Sequence, residues 1–353
     1  MESIAILVST LGSGGAEKQA ALLAQVLSKK YDVHFVALYG DSETSAYVIS
    51  ILENANVSVY PLSGNLLSKL RTFSILLKRN NVICAFNYLT KPNFWGSIIE
   101  KCSGIKWVYN GIRNTDLDGY KNILEWFSHN IIATGTIFNC YSGEEAFKKR
   151  GLRASKCITI PNCYPQISEP LTREQGKVVR IITVGRFHPQ KDYETAIKTI
   201  SILKRNKPDF IFLLCGYGVL EEQIRQWVKI YDVSDMVEFH IKPNDIPELL
   251  RSADIYLSTS LFEGTSNSIM EAMNWSLPIV ATNVGDNFKL VSDNFNGFLT
   301  KVGDAEFLAN RIAYLMDNPS TRVKYGINSN IKLREEFSID LFEERYFTLL
   351  EKE

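Results

Sequence analysis

Short apolar runs alternate with longer amphipathic stretches along this chain. Ile4–Val8 is a continuous apolar run of the buried-strand type, and Ala16–Lys29 after it has helical spacing. Asp32–Leu38, Val57–Tyr60, Val82–Asn87, Lys106–Asn110, Ile131–Thr134 and Ile158–Ile160 predict further strands. Leu66–Arg79, Asn93–Lys101 and a stretch near Gly143–Arg150 predict the helices among them. Pro161-Asn162 and the segment from Pro165 to Gly176 break the pattern as a hinge would. The alternation then restarts. Strands are expected at Val178–Val184, Phe210–Cys215, Val237–Phe239, Ile255–Ser258, Pro278–Ala281 and Gly297–Thr300. Helices are expected at Tyr193–Arg205, Val219–Ile230, Pro247–Ser252, Ser266–Asn274, Asp304–Met316 and Asp340–Glu351. Strand–helix alternation implies parallel sheets covered on both faces. The expectation is α/β: two doubly wound, Rossmann-like domains facing across a cleft, with ligands at the C-terminal ends of the strands. The boundaries expected are 1–165, 166–335, and a C-terminal helix within 336–353 that returns to the N-terminal domain.

Composition adds limits. In 353 residues, 39 Lys and Arg balance 39 Asp and Glu, and 45% of residues are hydrophobic, which excludes a disordered chain and disfavours a basic nucleic-acid binder. The balance hides an asymmetry. Residues 1–165 hold 17 basic and 12 acidic side chains, a net +5 that the remainder offsets. Such an excess marks either a face for anionic partners or simple scatter. Six cysteines without C-x-x-C spacing or a Cys/His cluster suggest reduced thiols of a cytoplasmic protein and no metal site. The N-terminus has no basic region before its apolar run, so no signal peptide is expected. No apolar run reaches the roughly 18 residues of a membrane span.

Three loops carry candidate chemistry. Gly12-Ser13-Gly14-Gly15 joins the first strand to the first helix, where glycines let backbone approach a phosphate. A dinucleotide fingerprint would need glycine at position 17, which is Glu, and a P-loop would need Gly-Lys-Ser/Thr. A phosphate or sugar site, or a plain tight turn, remains. In the second series Gly185-Arg186 ends a strand and Lys191 follows before a helix. Arg can hold two phosphate oxygens and Lys adds a compact charge, so the loop suits a pyrophosphate. Glu263 and Glu271 bracket a predicted helix start, and Gly264, Thr265, Ser266 and Asn267 would present N–H groups there.

Together these residues resemble the glycosyltransferase family 4 group, of GT-B architecture. Gly14-Gly15-Ala16-Glu17 is similar to its first N-terminal loop, and Gly185, Arg186 and Lys191 to its phosphate-binding loop. Cys215-Gly216-Tyr217-Gly218 is similar to its glycine turn, and Glu263 and Glu271 to its E-x7-E motif. The resemblance is ordered and specific from about 178 to 300. It implies a retaining, hexosyltransferase-type enzyme without metal or cofactor, whose donor is a nucleotide sugar, UDP by family frequency. Arg186 and Lys191 would stabilise the leaving diphosphate, with Gly14 and Gly15 closing over it. Glu263 would bind sugar hydroxyls and Glu271 the ribose. Gly185 and Gly216 would line the donor, and His240 and Ile241 would lie in the base-binding loop. Retention would follow front-face attack through an oxocarbenium-like state with the diphosphate as base.

Two departures stand out. Where many members carry His, this chain reads Tyr109-Asn110-Gly111-Ile112-Arg113-Asn114, so Arg113 is assigned a catalytic role, and Asn110 and Asp116 the acceptor side. Glu after Gly285 is replaced by Asp286-Asn287-Phe288-Lys289. The expected acceptor is a glycan or polyprenyl-diphosphate-linked glycan of bacterial surface polysaccharide synthesis, with no nucleic-acid partner. Leu66–Arg79 is either a core-facing amphipathic helix or a basic patch for an anionic membrane, which would make the protein peripheral on the inner face. A nucleotide-sugar epimerase and a non-catalytic sugar-nucleotide-binding subunit are the alternatives.

Overall fold

A computed structural model describes residues 1–42, 44–113, 119–173, 178–207 and 209–351. It divides into two units: Met1–Pro165 with Ile339–Glu353, and Gln166–Ser338.

The first unit runs β1 (Ser3–Val8), α1 (Gly15–Leu27), β2 (Asp32–Ala37), α2 (Ala46–Asn54), β3 (Ser58–Pro61), α3 (Leu66–Arg79), β4 (Val82–Tyr88), α4 (Thr90–Cys102), β5 (Trp107–Ile112) and α5 (Tyr120–Phe127). A π-helical turn (Ser128–Ile132), β6 (Gly135–Phe138), α6 (Tyr141–Lys149) and β7 (Cys157–Thr159) complete it. The sheet order is β3-β2-β1-β4-β5-β6-β7, with parallel pairing throughout. Every residue of β1 is buried, as expected for a strand covered on both faces.

The second unit runs β8 (Val179–Arg186), α7 (Tyr193–Asn206), β9 (Phe210–Tyr217), α8 (Glu221–Ile230), β10 (Val237–Ile241), α9 (Ile246–Ser252), β11 (Ile255–Ser258) and α10 (Asn267–Asn274). It continues through β12 (Ile279–Thr282), α11 (Asn287–Leu290), β13 (Gly297–Thr300), α12 (Ala305–Asp317) and α13 (Pro319–Phe337). Its sheet order is β10-β9-β8-β11-β12-β13, again parallel. The last helix, α14 (Ile339–Glu351), belongs to the first unit, where Tyr346 meets Phe86 edge-on at 5.6 Å and Phe342 lies 4.8 Å from Tyr346.

One expected strand is corrected. Ile131 and Ile132 end the π-helical turn, and the strand is Gly135–Phe138. The Lys156 ammonium fixes that turn by donating to the carbonyls of His129, Asn130 and Ala133. His129 in the turn is buried, bonded to Thr136 and the Arg153 carbonyl, and burial lowers its pKa to about 4. The Leu66–Arg79 helix turns its apolar stripe inward: Leu70, Phe73, Leu76 and Leu77 are in the core of the first unit.

Candidate active site

In each sheet the chain starts in the middle, builds to one side, then crosses to the other. That crossing leaves a gap between diverging loops at the strand ends. In the second unit it falls between β8 and β11, and the loops beyond their C-terminal ends carry the predicted residues.

Gly185 and Arg186 close β8, and Gly185 is in register with Gly216 of β9. A Cβ on Gly216 would lie 1.9 Å from the Gly185 carbonyl oxygen, and its φ of +156° also disfavours a side chain. The two strand ends therefore touch through bare backbone. The Tyr193 hydroxyl donates to the Gly185 carbonyl at 2.9 Å. From there a 3-10 turn carries Lys191 toward the loop after β11. Leu261 N–H donates to the Gln190 carbonyl (2.8 Å), and the Gln190 amide to the Phe262 carbonyl (2.9 Å). The Thr259 hydroxyl lies 2.9 Å from the carbonyls of both Lys191 and Asp192.

This stitching sets Lys191 Nζ 2.5 Å from Glu263 Oε1, which also accepts from the Ser260 hydroxyl at 2.8 Å. Glu263 is buried and Lys191 partly so. Arg186 is exposed and makes no ion pair among the described residues, so its guanidinium is available to a ligand. Gly285 closes the back of the loop: a Cβ there would sit 2.2 Å from the Glu263 carbonyl oxygen, at φ +53°. Asp286 N–H donates to the Gly264 carbonyl, so the replaced segment after Gly285 holds this loop through backbone.

Thr265 and Ser266 are buried beyond Gly264, and α10 opens at Asn267 without a side-chain cap from Ser266. Uncapped N–H groups and the helix dipole make that end attractive to anions. Glu271 follows one turn into α10. The buried Tyr256 hydroxyl donates to the Val184 carbonyl. Burial, then the charges of Glu271 and Glu263, push its pKa up, so both carboxylates lie near one phenol. His240 and Ile241 end β10 beside Cys215 and Gly216; His240 Nε2 is buried without a hydrogen bond, 3.8 Å from Glu238. The fold thus gathers Gly185, Arg186, Lys191, Gly216, His240, Ile241, Glu263, Gly264, Thr265, Ser266, Asn267 and Glu271 at one sheet edge.

In the first unit the crossing falls between β1 and β4. Gly14 caps α1 and Gly15 opens it without a side-chain cap, while Glu17 folds back to accept from the Thr10 hydroxyl at 3.3 Å. A Cβ on Gly14 would meet Glu17 at 2.3 Å. A cavity of about 220 Å³ opens beyond β1, β4 and β5, walled by Ser9, Thr90, Lys91, Arg113, Lys121 and Glu125. The Arg113 guanidinium lies 4.3 Å over the Tyr88 ring, Nη1 donates to Asn162, and Nε has no hydrogen-bond partner among the described residues. Asn93 donates to both oxygens of Glu125 at 2.9 and 3.0 Å, and burial pushes Glu125 up to about 7. Leu89 enters α4 at φ +76°, a conformation costly for a branched residue that places Thr90 and Lys91 on the cavity.

Asn110, expected on the acceptor side, is instead interior. It accepts from Asn87 at 3.2 Å and donates to Ser128, in a buried polar network that includes Glu100. Both ends of its amide are thus engaged inside the unit, and Arg113 is the charged residue of this segment on the cavity wall. Asp116 lies outside the described residues. Lys91, Lys121 and Glu125 were not anticipated; Lys91 could have been found as a basic residue directly after a strand end.

The family described as "Glycosyl transferases group 1" matches residues 168–331. An uncharacterized glycosyltransferase of Haemophilus influenzae is 24% identical over 99% of this chain and 100% of its own. The UDP-Gal:alpha-D-GlcNAc-diphosphoundecaprenol alpha-1,3-galactosyltransferase of Escherichia coli is 23% identical, over 79% of this chain and 77% of its own. The crystal structure of Anabaena HepE in complex with UDP-glucose superposes with a TM-score of 0.85 at 18% identity, covering all of both chains. The loops at the β8–β11 crossing lie within the matched stretch, so this part of the chain matches the glycosyl transferases group 1 family, and the chain as a whole has the GT-B fold.

Proposed function

We propose that this enzyme transfers a hexosyl group, with retention, from a UDP-sugar to a lipid-linked glycan acceptor in bacterial surface polysaccharide synthesis. The observation that carries the donor half is the meeting of Lys191 with Glu263 at the β8–β11 crossing, between free Arg186 and the uncapped start of α10. Negative charge develops on the diphosphate as the glycosidic bond breaks, and fixed cations there stabilise the transition state more than the ground state. Arg186 and Lys191 take that role, aided by N–H groups from Gly264 to Asn267. Glu263 holds donor-sugar hydroxyls and Glu271 the ribose. Gly185 and Gly216 leave room for backbone approach, and His240 and Ile241 flank the base.

The first unit takes the acceptor. Arg113, Lys91 and Lys121 give its cavity a cationic wall suited to a phosphorylated acceptor, and the +5 charge of residues 1–165 agrees in sign. The Escherichia coli relative is named for a diphosphoundecaprenol-linked acceptor and a UDP donor, which supports both substrate classes. An acceptor of that class places the enzyme on the cytoplasmic face of the membrane.

Assays of UDP-, GDP- and ADP-sugars, with and without a polyprenyl-diphosphate-linked glycan, test the reading. UDP-sugar turnover that requires the acceptor and collapses in Lys191→Ala and Glu263→Ala supports it. Full activity in both variants would place the site elsewhere.

A further inference from the structure

Glu125 is a carboxylate at the wall of a cavity otherwise rich in cations. It lies on α5, is 2% exposed, and lines the space of about 220 Å³ together with Lys91, Arg113 and Lys121. Lys121 stands one helical turn earlier on α5, a spacing at which opposite charges meet. Among the described residues, however, Glu125 makes no ion pair, and its partners are neutral. Asn93 Nδ2 donates to Oε1 at 2.9 Å and to Oε2 at 3.0 Å, and the Thr90 hydroxyl bonds to the same carboxylate.

The Asn93 amide is itself clamped to β5. It gives one hydrogen to the Gly111 carbonyl at 3.1 Å and accepts from the Gly111 N–H at 3.1 Å. One amide hydrogen is then left for both oxygens of Glu125, and Thr90 supplies a second donor. A carboxylate offers about four acceptor sites, so about half of them are unfilled among the described residues. Burial has already pushed this group up to about 7. Donors arriving from the cavity would offset the cost of burying it half satisfied. Glu100 on α4 is the contrasting case: it is buried, accepts from Asn87 at 2.8 Å, and lies off the cavity wall.

The wall selects the occupant by charge. Three cations call for an anion and disfavour an ammonium, while the carboxylate repels phosphate oxygens and accepts hydroxyl donors. Small-molecule sites usually begin at about 300 Å³, so the volume limits the occupant to one small polar unit. A single sugar ring carrying a phosphate meets every condition.

We propose that Glu125 selects the acceptor sugar: its carboxylate takes hydrogen bonds from ring hydroxyls of a hexose phosphate whose phosphate group lies on Arg113, Lys91 and Lys121. The proposal rests on the acceptor cavity proposed above and adds the residue that tells one sugar from another. Because Asn93 fixes the carboxylate, it cannot follow a misplaced hydroxyl, and a sugar that leaves it unpaired is rejected.

The test is isothermal titration calorimetry of the full chain with inorganic phosphate and with the α-1-phosphates of glucose, galactose and N-acetylglucosamine. At least one hexose phosphate should bind about ten-fold or more tightly than inorganic phosphate. Glu125→Gln should remove that advantage and leave the affinity for inorganic phosphate unchanged. Arg113→Ala should weaken both kinds of probe, and Glu100→Gln neither. Glu125→Asp keeps the charge but withdraws it by one methylene, so it should change the ranking of the three sugars; it carries the test if the Gln variant does not fold. An equal loss of both kinds of probe in Glu125→Gln would assign Glu125 to structure and overturn the proposal. So would hexose phosphates that all bind no tighter than inorganic phosphate, or binding that Arg113→Ala leaves intact. None of these titrations needs a nucleotide sugar, so a failure of UDP-sugar turnover would count against the transferase reading alone.

Discussion

Lys191 Nζ and Glu263 Oε1 lie 2.5 Å apart although 72 positions separate them in sequence. The pair couples the loop after β8 to the loop after β11, so each residue contributes both charge and geometry. Their side chains are 19% and 10% exposed, between the regime of surface pairs and that of buried pairs. Glu263→Ala should therefore cost about 2 kcal/mol of stability, by leaving Lys191 without its counter-charge. Urea unfolding of the variant checks this, and a stability equal to the parent would show the pair to be dispensable for folding.

Among the described residues Arg186 has no such ion-pair partner. Arg186→Ala should leave the urea midpoint nearly unchanged while lowering kcat about 100-fold, the scale of losing one charge-stabilising group. The informative comparison is the ratio of the two effects: Arg186 acts on rate alone, Lys191 and Glu263 on rate and stability together.

Gly216 and Gly104 both have positive φ but differ in surroundings. A Cβ at Gly216 would overlap the Gly185 carbonyl, whereas at Gly104 nothing lies within 4 Å. Gly104→Ala should cost about 1 kcal/mol from backbone conformation alone. Gly216→Ala should cost more than about 3 kcal/mol, because two strand ends must separate. Side-by-side denaturation of the two variants decides it.

Burial raises Glu100 from an ordinary 4.5 to about 8. For an acid raised on folding, the native state holds its proton longer than the unfolded chain. Below about pH 4.5 both states are protonated and there is no penalty. As pH rises toward 8 the unfolded chain releases the proton first, and stability falls by an amount on the order of 4 kcal/mol. Glu100→Gln keeps the hydrogen bond from Asn87 and removes the titration. Its melting temperature should exceed that of the parent at pH 8 and converge with it near pH 5; parallel curves would show that Glu100 titrates normally.

The Arg113 guanidinium lies 4.3 Å over the Tyr88 ring at the wall of the first unit's cavity. Arg113→Lys retains charge but loses the stacking and the fork of donors. It should raise the acceptor KM about ten-fold while leaving acceptor-independent donor hydrolysis unchanged. A parallel loss of both rates would place Arg113 on the donor instead.

Where side-chain pattern coincides with burial, the elements were legible in advance. Leu66–Arg79, Ile255–Ser258 and Gly297–Thr300 have the expected limits, and the strand-end residues of the second unit assemble together. Two of the elements that escaped bury polar side chains. Helix α13 buries Arg322, Gly326, Ser329 and Asn330 alongside Tyr325, Leu333 and Phe337, which blurs its apolar period. Helix α5 inverts the rule altogether, burying Glu125 and exposing Ile123. Asn110 looked like a strand-end ligand, but its amide is taken up by Asn87 and Ser128, a network assembled from four separate stretches that local pattern cannot reveal.

The seating of Tyr346 on Phe86 makes the first unit discontinuous in sequence. During synthesis, every strand of its sheet emerges before position 160, yet Phe342, Tyr346 and Phe347 of its core emerge only after the whole second unit. The usual order, in which the N-terminal domain is finished first, is thereby reversed. The first unit waits, with an open flank beside β4, until the second unit has left the ribosome.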